Sequence, residues 1–295
     1  MPQPADEETE DRRKGIVTME LKDQLEKLDS LYADGNLPEA EKMLNNWLED
    51  ARLMADDASR LTLLNELMGL YRTTGRAGQA AECAGEALGL VDRLNLTGTA
   101  QHGTTLLNAA TAYSRAGDYD RALELYAAAG NLFRQNGLDG SYQMASLFNN
   151  ISSVYEAKGD AGKALEYLES ALEIVSGLDD CAGEAAVTRI SIAYALMRLE
   201  RLKEAADTLQ EVYLYFASEE GSRDPHFAAL LAASGELAVR NHDYAEAIDD
   251  YQKALKETKN RYGENDYCRM LEKNIAFVRE LMAKPQESPS RKENS

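Results

Sequence analysis

The sequence predicts an all-α fold: six helical hairpins stacked as an α-solenoid, closed by a C-terminal helix. Three observations carry this. Alanine recurs at Ala40, Ala80, Ala122, Ala164, Ala205 and Ala247, at steps of 40, 42, 42, 41 and 42. Five residues before each alanine stand Gly35, Gly75, Gly117, Gly159, Glu200 and His242, four glycines in six. Four and seven residues after each alanine stand mostly apolar side chains, from Leu44 and Trp47 in the first repeat to Tyr251 and Ala254 in the last. A fixed period near 42 is the mark of a repeat architecture.

Each repeat reads in order as helix, turn, helix. The first helix carries Leu31, Tyr71, Tyr113, Tyr155, Leu196 or Ala238 nine residues before the anchor. The turn takes Gly because Gly accepts left-handed backbone angles at little cost. The second helix places the anchor and the residues four and seven beyond it on one face. Alanine at the anchor suits a close crossing of two helices. One hairpin cannot bury its apolar face alone, but a stack shares a continuous core. The solenoid is expected over residues 17–266. Residues 267–283 read as a capping helix, with Met270, Leu271, Ile275, Phe277, Val278, Leu281 and Met282 on one broad face. The polar tails 1–16 and 284–295 are expected to be disordered.

The stretches "LLNAATAYSRAGDYDRALELYAAA" and "LFNNISSVYEAKGDAGKALEYLESAL" resemble the tetratricopeptide repeat. The period near 42 is similar to the long-helix variety found in kinesin light chains and in bacterial peptide-sensing regulators. The resemblance covers about 245 of the 295 residues. Departures fall at Gln24 and Lys27 in repeat 1, at Glu200 in place of the turn glycine in repeat 5, and at Ser234 in repeat 6. The resemblance implies a right-handed solenoid whose first helices line a concave groove that binds peptide or protein.

Composition narrows the function. There are 51 acidic and 32 basic residues, a net charge of −19. Such a field repels nucleic acid and anionic membrane surfaces and favours a basic or neutral partner. The first 20 residues hold no apolar signal stretch, and no run approaches the ~20 apolar residues of a membrane span. The expected location is the cytoplasm. Cys83, Cys181 and Cys268 are widely spaced, with no CxxC, which reads as three free thiols in a reducing compartment. His102, His226 and His242 pair with no ligand at metal spacing. "GDAGKA" at Gly159 lacks the phosphate-loop spacing. No metal, cofactor or catalytic residue is expected.

With the anchor alanine of each repeat numbered 20, the resemblance puts positions 2, 5, 6, 9, 12 and 13 on the groove. Asn108 and Asn150 share position 6, and Asn65 and Asn149 share position 5. Asparagine is a poor helix former, and its amide both donates and accepts, so this row suits the backbone of an extended peptide. Arg115, Arg198 and Arg240 share position 13, with Arg72 at position 12 of repeat 2. Arginine there suits peptide carboxylates, and equally suits a helix C-terminus. Tyr194 and Glu236 at position 9, with Leu107 and Ile190 at position 5, offer anchor contacts. Positions 2 and 5 hold no basic residue in repeats 2 to 6, which argues against the family's two-carboxylate clamp. The reading is a non-catalytic adaptor or scaffold that holds a protein or peptide segment in the groove, with no nucleic acid or membrane partner. The alternative is a self-assembling, homo-oligomeric protein, with a homodimer made through the C-terminal helix.

Overall fold

The computed structural model describes residues 25–219 and 221–283. Gln24 and the two expected tails, 1–16 and 284–295, lie outside the described residues. The described elements are helices α1 (25–33), α2 (Leu37–Leu53), α3 (Asp57–Thr73), α4 (Ala77–Arg93), α5 (Ala100–Arg115), α6 (Tyr119–Gln135), α7 (Tyr142–Ala157), α8 (Ala161–Val175), α9 (Ala182–Arg198), α10 (Leu202–Phe216), α11 (Phe227–Arg240), α12 (Tyr244–Tyr262) and α13 (Asp266–Ala283). A 3-10 turn, Gly221–Arg223, precedes α11. The all-α repeat solenoid expected from the sequence is what forms: α1 to α12 pair off as six hairpins, and each hairpin holds one anchor alanine.

The chain divides into two compact units, the first ending at Gly137 and the second starting at Leu138. The first contains α1 to α6, with α2 packed on α3, α3 on α4, α4 on α5 and α5 on α6. Two of its first helices, α3 and α5, also touch directly. The second contains α7 to α13, packed in sequence, with the first helices α9 and α11 again in direct contact.

The anchors do what their size implies. All six alanines are 0% exposed. The rows four and seven residues on are buried too, apart from half-buried Trp47. Tyr71 and Tyr113 sit at the end of their first helices, buried, and Tyr155 is half-buried at the equivalent place. A cation covers each ring: Arg76 at 4.6 Å from the Tyr71 centroid, Arg121 at 4.0 Å from Tyr113, and Lys163 at 5.0 Å from Tyr155. Such contacts favour the cation electrostatically.

The turn has one geometry in all six repeats. Gly35, Gly75, Gly117 and Gly159 take positive φ, and so do Glu200 (φ 58°) and His242 (φ 65°). The next residue's N–H then reaches back five residues, as in Asn36 to the Leu31 carbonyl and Asp243 to the Ala238 carbonyl, both at 2.8 Å. This bond satisfies a helix-end carbonyl. The geometry persists without glycine because that backbone bond and the packing on either side over-determine it.

The apolar face expected for the last helix is split. Leu271, Ile275 and Val278 of α13 are buried with Tyr251 and Ala254 of α12. Met270, Phe277 and Met282 are 41%, 55% and 52% exposed. No helix among the described residues is long and apolar enough to cross a membrane.

Candidate functional site

The sequence-derived site residues fall into two groups, one in each unit. In the first unit, Asn65 on α3 and Asn108 on α5 meet. Asn108 Nδ2 donates to Asn65 Oδ1 at 2.7 Å, and Asn65 Nδ2 donates to the Leu61 carbonyl one turn back at 2.8 Å. Both side chains are half-buried. The two amides are therefore a bridge between first helices as well as candidate ligand contacts. An amide carries two N–H donors and an acceptor oxygen, so one N–H on each and the Asn108 oxygen stay open to a ligand.

Beside this bridge lies a carboxylate that the sequence reading passed over. Glu66 occupies position 6 of repeat 2, on a groove position. Burial, with Asp29 nearby, raises its pKa. The same burial and the charges of Glu66 and Asp29 push Tyr32 up to about 12. Arg72 and Arg115 are exposed at the ends of α3 and α5. Both act on the Tyr126 hydroxyl, which donates to Thr111 Oγ1 at 3.0 Å. Burial pushes that phenol up to about 12 against the pull of the Thr111 bond and the two cations.

In the second unit, Asn149 and Asn150 lie half-buried on α7. Asn149 Nδ2 donates to Thr188 Oγ1 on α9 at 3.3 Å, again joining two first helices. Among the described residues, the Asn150 side chain has no hydrogen-bond partner. Asn149 and Thr188 also line a recess of about 340 Å³ with Tyr142, Glu184, Asp224 and His226. Asp224 accepts from the His226 backbone and Nδ1, both at 2.8 Å, and from the Tyr215 hydroxyl at 2.9 Å. Burial opposes its ionisation, but these bonds win and hold its pKa low. Gly183 makes room for it: a Cβ there would lie 2.6 Å from Asp224 Oδ2.

Two of the position-13 arginines have a repeat-equivalent job. Arg198 Nη1 donates to the Glu156 carbonyl at 3.3 Å, and Arg240 Nη1 to the Met197 carbonyl at 3.0 Å. Both carbonyls are at position 12 of the preceding first helix. Arg240 also reaches Glu236 Oε1 at 3.0 Å and Glu200 Oε1 at 3.2 Å. Its charge is thus largely matched within the protein, while Arg115 makes no such contact among the described residues.

Tyr194, read from the sequence as a groove residue, is mostly buried against the α9–α10 core. Burial first, then the surrounding Tyr267, Tyr251, Glu236 and Glu156, raises its pKa well above the usual phenol range. Glu156, at position 12 of repeat 4, is the second carboxylate the sequence reading missed. Its Oε1 is buried without a partner. Burial raises its pKa against the pull of Arg198. Applying the same position numbering to acidic residues would have found Glu66 and Glu156. Leu107 and Ile190 point into the cores instead, 7% and 4% exposed. Among the described residues, no group of three His, Cys, Asp or Glu side chains is placed to hold a metal ion.

Residues 101–177 and 143–213 match the tetratricopeptide repeat family model. No curated protein matches the sequence. Among solved structures, BtubC (BKLC) from P. vanneervenii is 21% identical, with 78% of this chain and 94% of that one covered and a TM-score of 0.61. A putative kinesin light chain with nearly identical TPR-like repeats, from Podosopora anserina, is 19% identical over 68% and 95%, TM-score 0.57. NprR in complex with its cognate peptide NprX is 14% identical over 96% and 82%, TM-score 0.66. At these identities the likeness is one of fold.

Proposed function

We propose that this chain, a tetratricopeptide-repeat protein of the long-repeat, kinesin-light-chain-like variety, is a non-catalytic module that binds a protein or peptide segment on its first-helix faces. The observation that carries the reading is a pair of half-buried amides in each unit. Asn65, Asn108, Asn149 and Asn150 stand on first helices with hydrogen-bonding capacity left over. Half-buried amides with open donors and acceptors suit a peptide backbone, which offers both groups at every residue. NprR, of similar fold, is a peptide complex. The module acts as an adaptor or scaffold, in the cytoplasm.

The test is a displayed peptide library selected on the full chain, with bound peptides mapped by hydrogen exchange. Expected is added protection on α3 and α5, or on α7 and α9, and loss of binding in Asn108→Ala or in Asn149→Ala with Asn150→Ala. Protection confined to second helices or to α13, with binding unchanged in those variants, would refute it.

A second reading has its own observation. The exposed Met270, Phe277 and Met282 on the outer side of α13 are a contact surface for a second copy. Sedimentation of the wild type against Phe277→Glu tests this: a monomer in both would end the self-assembly reading.

A further inference from the structure

A recess of about 220 Å³ opens in the second unit between α10, α11 and α12, lined by none of the four amides. One wall is apolar, with Leu209, Leu230 and Leu237. Tyr213 stands at the recess and is 55% exposed. The other wall is the start of α12, which contributes Asp243, Glu246 and Asp250 at spacings of three and four, one face of a helix.

Asp250 is the informative member. Its side chain is only 13% exposed. Lys253 pairs with it at 3.8 Å but lies closer to Asp249, at 2.6 Å. Asp250 is therefore a largely buried carboxylate that is only partly compensated: burial raises its pKa against the pull of Lys253, and Glu246 and Asp249 add to the rise. A buried carboxylate gains most from a paired cation that also hydrogen-bonds. Asp243 adds to the same field. It is the N-cap of α12 but makes no side-chain cap bond, whereas Asp118 and Asp160 make that bond at the same repeat position.

The three carboxylates are not placed to share a metal ion. The volume is several times the ~30 Å³ share of one water. An apolar wall leading to carboxylates matches a side chain with an aliphatic stem and a cationic head. The chain's net charge of −19 favours a basic partner on approach. We infer that this recess receives a lysine side chain of a partner protein, with its methylenes on Leu237 and Tyr213 and its ammonium on Asp250 and Glu246. The recess uses Leu230, Ser234 and Leu237 of α11 and none of the four amides, so it stands whether or not the amides bind peptide.

The experiment titrates the full chain with Nα-acetyl-lysine methylamide at about 0.15 M salt, where diffuse surface attraction is screened. Backbone resonances are followed by NMR. Expected are saturable shifts at Tyr213, Glu246 and Asp250, absent with Nα-acetyl-norleucine methylamide. Asp250→Asn should weaken the dissociation constant roughly tenfold, the size of one charge-assisted bond. Glu246→Gln, at an exposed position, should weaken it less and serves as the variant in which folding is not at issue. Shifts spread evenly over acidic surface, equal response to the norleucine analogue, or no change in either variant would overturn the proposal. Tighter binding of cadaverine than of the lysine analogue would assign the recess to a free diamine and also overturn it.

Discussion

Arg240 Nη1 donates to the Met197 carbonyl at 3.0 Å, and Arg198 repeats the contact one hairpin earlier, to Glu156 at 3.3 Å. Both carbonyls lie in the last turn of a first helix and already accept a turn N–H, from Gly159 and Glu200. The arginine takes the remaining lone pair, and a cation there is favoured by the helix dipole. Arginine at position 13 thereby ties α9 to the end of α7 and α11 to the end of α9. Arg240→Ala should cost about 1 kcal/mol, its partial exposure discounting a charged hydrogen bond. Arg198→Ala should cost less, and Arg115→Ala under about 0.5 kcal/mol. Urea denaturation of the three variants checks the order; equal stabilities would leave these arginines no structural part.

The turn makes a second expectation. Glu200 and His242 hold φ of 58° and 65° where four other repeats have glycine. The left-handed conformation costs a residue with a Cβ about 1–2 kcal/mol, partly offset by the greater freedom of glycine in the unfolded chain. Glu200→Gly and His242→Gly should each raise stability by about 0.5–1 kcal/mol. Gly117→Ala, at φ 84°, should lower it. Melting temperatures of the three variants decide this; a fall in both glycine variants would contradict it.

Packing makes a third. A Cβ on Gly103 would lie 2.8 Å from the Phe133 ring, and the anchors Ala122 and Ala164 are wholly buried. Ala122→Leu and Gly103→Ala should each destabilise by about 1–3 kcal/mol through overpacking, the second offset by the better helix propensity of alanine. Thermal unfolding that leaves either variant as stable as the wild type would mean the crossing is looser than these distances imply.

These three expectations divide by what a sequence can carry. The anchor alanines and the turn were readable because six copies repeat them and packing leaves one residue size at each. Even Glu200 and His242 were readable as turns, since spacing placed them where glycine stands elsewhere. The partners of the site residues were not. Asn65 and Asn108 occupy different positions, 5 and 6, and their meeting is visible only in the side-chain geometry between α3 and α5. Arg198 and Arg240 allowed both a ligand role and a helix-end role, and the carbonyl contacts of the second are visible only in side-chain geometry. The recess at Asp250 depends on the gap between three helices, which no periodicity records.

Glu156 gives the last expectation, through pH. Burial raises its pKa, against the pull of Arg198, and its Oε1 has no partner. The folded state therefore holds this proton more tightly than the unfolded chain, whose glutamates titrate near ~4.3. A raised carboxyl pKa contributes stability that is fully present below the unfolded value. That contribution is lost as pH rises through the folded value. At neutral pH the ionised Glu156 is thus a liability that Glu156→Gln removes. The difference in melting temperature, variant minus wild type, should grow from about pH 4 upward and level off above the raised folded pKa. Reading the slope rather than the offset separates titration from any constant effect of the amide. Arg198→Ala should steepen it, because the opposing cation is gone. A difference that is flat from pH 4 to 8, or that shrinks as pH rises, would show that Glu156 is not held in its neutral form by the fold.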